Sequence, residues 1–147
     1  MSSPASDLAA GIVSRLQART GLAGAAVLHD RQQDVATRIA AALAKMQTAV
    51  LVWLPRRSRP RDAAPGDPWE AEIAIDVAGT PLLRATATPT VDQAVDEVVA
   101  ALDGWKPAAP ANGGHWFDRV RVHEVELVPD ATRLAYTVRA TVRAGLS

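Results

Sequence analysis

The clearest hydrophobic pattern in this 147-residue chain lies between Thr80 and Pro107, where apolar side chains recur at three- and four-residue steps. Thr90, with Gln93 three residues later, matches a helix capping box, and Asp103-Gly104 supplies a stop. This predicts an amphipathic helix whose apolar face needs a sheet to cover it. Its apolar positions are Val91, Ala94, Val95, Val98, Val99 and Leu102, and its polar positions are Asp92, Gln93, Asp96 and Glu97.

Two further helices are predicted in the first third of the chain. Asp7 to Arg19 carries one apolar stripe, with Gly21 as a stop. Arg31 to Lys45 is a second amphipathic segment. Its expected inward-facing residues are Val35, Ile39, Ala42, Leu43 and Met46.

Strand patterns occupy most of the remaining chain. Ala49 to Leu54 is a continuous apolar run, as in a strand that is central or covered on both faces. Trp69 to Val77 alternates strictly, so it predicts a strand with one wet face. A tight turn at residues 78–81 and an apolar run from Leu82 to Thr88 predict that this strand forms a hairpin with the next. Gly24 to His29 is either an edge strand or a packed connector.

A second hairpin is predicted near the C-terminus, from Val120 to Val128 and from Arg133 to Arg143, joined by a turn at Pro129-Asp130. Arg139 and Arg143 on its wet face would lie across from Glu124 and Glu126. The predicted fold is therefore a single α+β domain over residues 1–147, with about three helices packed on a mostly antiparallel sheet. Two proline-rich segments, near 55–68 and 105–116, are predicted to be mobile loops.

Composition narrows the function classes. Sixteen basic and sixteen acidic side chains cancel, so no global field favours nucleic acid or an anionic membrane. The absence of cysteine excludes disulfides and thiolate chemistry. No window reaches the roughly twenty apolar residues of a membrane span, and the first residues do not resemble a secretory signal.

No catalytic motif is found. The three histidines, His29, His115 and His123, lack the spacing of a metal site and are expected to be ordinary surface or interface residues. The few serines do not stand in a nucleophile elbow, and phosphate-binding glycine motifs are missing. We expect no enzyme activity and no cofactor.

Arginines form the strongest charge cluster: Arg56, Arg57, Arg59 and Arg61. They could grip phosphate groups, order against an acidic protein face, or remain solvated; the lack of interleaved aromatics disfavours nucleic acid. Four tryptophans are a second unusual feature. Trp53 and Trp69 are predicted core residues, whereas Trp105 and Trp116 flank a loop, where they would anchor an interface or cover a small core.

One family resemblance extends over most of the chain. A capped helix ending in ALDGWKP, then a loop and a closing hairpin whose last strand reads RLAYTVRATV, resembles the tail terminator proteins of tailed bacteriophages and their relatives in prophages, gene transfer agents and phage-like injection systems. The segments IVSRLQA, LAGAAVLHD and AVLVWLP agree with it in outline. The arginine-rich segment is not something the family requires.

The resemblance implies a compact α/β sandwich that assembles as a ring, typically a hexamer. Such a ring caps the head-proximal end of the tail tube and stops its polymerisation, without catalytic residues or cofactors. Its implied partners are copies of itself, the tail tube protein and a head–tail connector or neck protein, with DNA at most passing through the lumen and no membrane. Its implied location is a virion tail or phage-like particle assembled in the bacterial cytoplasm.

A closed ring needs two different complementary surfaces on each copy. The opposite charges suggest that the Arg56–Arg61 segment faces the helix surface of Asp92, Asp96 and Glu97 on a neighbour, with Trp105 near the seam. Three alternatives stay open: another neck or baseplate-hub component, a nucleic-acid-binding accessory protein that uses the arginines, and a small enzyme.

Overall fold

The computed structural model describes residues 4–58, 62, 64, 67–79, 89–108, 115–129 and 133–146. Three α-helices lie among them: α1 (Pro4–Gln17), α2 (Val35–Ala44) and α3 (Val91–Leu102), with a 3-10 turn at Thr20–Leu22. The described strands are β1 (Ala26–His29), β2 (Ala49–Val52), β3 (Arg56–Ser58), β4 (Trp69–Gly79), β5 (His115–Phe117), β6 (Arg121–Leu127) and β7 (Leu134–Leu146).

The strands form one mixed sheet that curls into a half-barrel. Its order is β1-β2-β4-β7-β5, with β3 also beside β4 and β6 also beside β7. Only the β1–β2 pair is parallel among the described strands. The long strands β4 and β7 pair from Trp69 opposite Ala144 to Gly79 opposite Leu134. The predicted α+β class and the mostly antiparallel sheet are confirmed. Of the two alternatives for Gly24 to His29, the edge strand is the one observed, and it spans Ala26–His29.

The core lies between one face of this sheet and helices α1 and α3. Alternation along β4 buries every second side chain from Trp69 to Val77, as predicted. Against them pack the α1 stripe of Leu8, Ile12 and Leu16 and the α3 stripe of Ala94, Val98 and Leu102, all with 0% exposure. The capping box is confirmed, because the Thr90 side chain accepts from the Gln93 N–H while the Gln93 side chain accepts from the Thr90 N–H.

The second helix is shorter and more exposed than predicted. It starts at Val35, and Ala42 is its one buried residue. Met46, predicted to face inward, is 40% exposed with φ 58°. The cause is the helix stop: the Met46 N–H bonds to Leu43 O and the Gln47 N–H bonds to Ala42 O. This is a Schellman motif, and its left-handed residue directs the chain out of the helix towards β2.

Three other expectations need correction. Trp53 is 42% exposed rather than in the core, because it follows Val52 on the opposite face of the strand. The segment from Pro55 is not wholly a loop, since Arg56–Ser58 forms β3. The predicted pairing of β4 with the segment that follows it is wrong, because both edges of β4 already have partners: β2 and β3 lie along one edge and β7 lies along the other. Leu82–Thr88 themselves lie outside the described residues.

Candidate interaction surfaces

The sheet face opposite α1 and α3 is polar and forms an open groove of about 620 Å³. It is built by the outward positions of β4 and β7, which alternate with the core positions. Residues that line the groove include Trp53, Arg56, Glu72, Asp76, His123 and Arg139. Both signs of charge are present on this floor.

Two local networks hold the groove in shape. Asp76 accepts the Trp53 indole N–H at 2.8 Å and the Thr137 hydroxyl at 2.7 Å. The Arg139 guanidinium lies 3.6 Å from Glu126 and 4.0 Å from Glu124, so the predicted cross-strand pairing is confirmed for this arginine.

In the described part of the chain, no group of three or more His, Asp or Glu side chains is placed to hold a metal ion. His115 differs from the expected surface histidine. It is 3% exposed, its Nε2 lies 3.3 Å from Asp7 Oδ2, and its ring meets Phe117 edge-on at 5.2 Å between centroids. It therefore joins β5 to the start of α1.

Two of the four arginines of the predicted interface, Arg56 and Arg57, lie on strand β3. All three residues of β3 are exposed. Arg56 lies opposite Glu72 in register, and the Arg57 guanidinium stands 5.3 Å from the centre of the Trp69 ring. Arg59 and Arg61 lie outside the described residues.

The acidic face of α3 is partly engaged within its own chain. Glu97 forms a 2.8 Å salt bridge with Arg19. Asp92 accepts a hydrogen bond from Tyr136, and burial, followed by the charge and hydrogen bond of Asp92, raises the pKa of Tyr136. Asp96 is exposed. The pairing of this face with the arginines of a neighbour stays a prediction.

Both loop tryptophans pack within the chain. The Arg15 guanidinium lies 5.1 Å from the centre of the Trp105 ring, which packs half-buried against the core. Trp116 covers Gly145 so closely that a side chain at Gly145 would meet the indole at 2.6 Å. The half-exposed positions of both rings leave an interface role as a prediction.

The end of β6 carries an exposed apolar patch that the sequence pattern did not predict. Val125, Leu127 and Val128 are 43%, 57% and 38% exposed at the end of β6. The sequence predicts the strand itself. Its exposure depends on which strand lies at the sheet edge, and because long-range pairing decides this, no local sequence pattern predicts the exposed patch.

The fold is shared with a chain of a gene transfer agent virion. The chain matches a chain from the virion of a native gene transfer agent particle with a TM-score of 0.69, at 16% identity, over 99% of both chains. A second solved structure, described only by a protein identifier, matches with a TM-score of 0.54 at 16% identity, over 99% of this chain and 97% of the other. No protein-family model matches the chain, and no curated protein matches it.

Proposed function

We propose that this protein is a structural component of a phage-type particle and acts as a ring that caps the tail tube, stops its elongation and supports head–tail joining. The observation that carries the proposal is the full-length match to a gene transfer agent virion chain, with 99% of both chains covered.

The surfaces of the fold support a role in protein contacts. The groove floor carries paired charges and an exposed tryptophan, and an apolar patch lies at one sheet edge. Exposed apolar surface next to polar surface is typical of protein interfaces. In this proposal the partners are further copies of the chain, most simply six, together with the tail tube protein and a connector or neck protein. DNA would pass through the lumen only.

The best test is deletion of the gene in the strain that encodes it, followed by electron microscopy of the particles. We expect tails of abnormal length that are not joined to heads, and restoration by a plasmid copy. Normal tails joined to heads would overturn the terminator role.

Tail length in the deletion strain separates this role from its nearest alternative, and mass spectrometry of purified particles shows whether the chain is part of them. A neck or baseplate-hub component would be found in the particles, yet its loss would leave tail length unchanged. Absence of the chain from particles, combined with salt-sensitive DNA binding, would instead favour the nucleic-acid accessory role.

A further inference from the structure

Two strands at opposite edges of the sheet have no described strand on their outer sides. β3 pairs only with β4, and β6 only with β7, among the strands that the structure describes. These two are also the described strands without a buried residue. An unpaired strand edge presents a row of N–H and C=O groups that another strand can bind.

The two edges carry opposite charges. β3 contributes Arg56 and Arg57, both exposed. β6 begins with Arg121, but its second half contributes Glu124 and Glu126, which share one guanidinium, that of Arg139, so this half keeps one excess negative charge. Contact of like edges would set arginine against arginine or glutamate against glutamate, whereas contact of unlike edges is attractive. The charges therefore select a head-to-tail contact over a two-fold one.

The strand directions fit such a contact. β6 runs parallel to β4, because each is antiparallel to β7, and β3 runs antiparallel to β4. If successive copies keep the same face inward and the same end up, β6 of one copy meets β3 of the next in antiparallel orientation.

A stagger between copies is also required. Arg57 lies level with Ala71 of β4, whereas Val125 lies level with Ile75 through Val138. This four-residue offset corresponds to about 13 Å along the strands. Closed arrangements of tilted strands require an axial stagger of this kind.

We propose that copies of this chain join head to tail by antiparallel pairing of β6 with β3 of the next copy, with Glu124 and Glu126 beside Arg56 on the groove face of the sheet. The contact also covers Val125 and Leu127, the most exposed apolar residues of β6. The proposal rests on the ring function above and specifies its subunit interface. It competes with pairing of the arginines with the α3 face, where Glu97 is already bound to Arg19.

Cysteine cross-linking tests the contact directly, because the natural chain contains no cysteine. The variant Ser58→Cys/Val125→Cys places one thiol on each edge strand. A bismaleimide about 10 Å long spans neighbouring strands and tolerates a register error of roughly two residues. The matched control, Ser58→Cys/Ala100→Cys, keeps the β3 thiol and places the second thiol on the exposed side of α3.

We expect the first pair to give a ladder of dimers, trimers and larger species at protein concentrations up to roughly 1 mM, the range of weak interfaces. The control pair should stay largely monomeric. A ladder from the control pair alone would place the interface on α3 and overturn the β3–β6 contact. If neither pair gave a ladder, the β3–β6 contact would also be overturned. The charges on β3 and β6 would then serve only to prevent aggregation.

Charge exchange provides the second measurement, on the cross-linking variant. Arg56→Glu/Arg57→Glu should weaken self-association about tenfold or more in sedimentation. The triple variant Glu124→Arg/Glu126→Arg/Arg139→Glu should weaken self-association by a similar factor. It keeps the ion pairs of residue 139 with residues 124 and 126, with the charges reversed. Combining both sets should restore the ladder, and circular dichroism checks that each variant folds. Continued loss in the combined variant would count against the contact.

Failure here is distinguishable from failure of the proposed function. The gene deletion reads tail length and head joining without reference to any interface. A deletion phenotype with no β3–β6 cross-link would leave a terminator whose copies join elsewhere.

Discussion

The indole N–H of Trp53 donates a 2.8 Å hydrogen bond to Oδ2 of Asp76, which lies on the neighbouring strand β4. This bond explains why Trp53, which the sequence pattern predicted to be a core residue, is 42% exposed at the groove. The indole ring lies on the polar face, and its one polar atom is satisfied there. The other oxygen of Asp76 accepts from Thr137, so one carboxylate ties together β4, β7 and the chain after β2.

Removal of that carboxylate should destabilise the fold. Asp76→Ala leaves the Thr137 hydroxyl, on a residue only 7% exposed, without its acceptor. We expect a loss of about 1–3 kcal/mol in the free energy of unfolding, measured by urea denaturation. Glu72→Ala, four residues earlier on the same face and exposed, is the control and should stay within about 0.5 kcal/mol of the parent. Equal effects from the two changes would show that the Asp76 network does not stabilise the protein.

Tyr136 is the one tyrosine of the chain, so ultraviolet absorbance at high pH reports its ionisation alone. Its pKa is raised from 10.0 by burial and then by Asp92, which repels the phenolate and accepts the hydroxyl proton. Asp92→Asn should lower the pKa of Tyr136, whereas Asp96→Asn, one turn later and exposed, should leave it nearly unchanged. A Tyr136 pKa that does not respond to Asp92→Asn would contradict the contact.

The same shift predicts how stability depends on pH. The folded state holds the Tyr136 proton more tightly than the unfolded state does. Its contribution is therefore fully present below pH 10.0 and declines as the pH rises through the higher folded pKa. Denaturation of the parent and of Asp92→Asn across this range should show a smaller decline for the variant.

The capping box should account for a measurable part of the stability of α3. Thr90→Ala removes the acceptor of the Gln93 N–H and should cost about 1 kcal/mol in the free energy of unfolding. Thr37→Ala makes the same chemical change at an exposed position in the first turn of α2 that is not the N-cap. Since alanine is the better helix former, this control should be neutral or slightly stabilising. Thermal melts monitored by circular dichroism compare the two, and equal losses would argue against the cap.

Gly145 allows the close approach of Trp116. Gly145→Ala places a methyl group 2.6 Å from the indole, so the ring must move, and we expect a loss of about 1–3 kcal/mol. Trp116→Ala removes the obstacle, so Gly145→Ala should cost much less in that background. Strict additivity in this double-mutant cycle would show that the two residues are not coupled.

For much of the candidate surface, the sequence predicts which residues are present but not what they contact. The arginine cluster and the acidic helix face are visible in the sequence, because charge and helical period are local properties. Their engagement is not visible there: Glu97 is bound to Arg19 and Asp92 to Tyr136, over separations of 78 and 44 residues. The sequence also gives no reason to connect Arg56 with Glu124 and Glu126, because that connection depends on which strands form the sheet edges.

What the sequence alone determined was the set of local elements and their buried faces: three helices, the alternation of β4 and β7, and the capping box at Thr90. These follow from side-chain periods and from bonds between residues a few positions apart. The tertiary structure decided that β4 pairs with β2, β3 and β7, that Trp53 lies outside the core, and that β3 and β6 lie at the edges. Strand pairing joins residues far apart in the chain, and it is chosen by the burial of all faces together, so no single segment contains it.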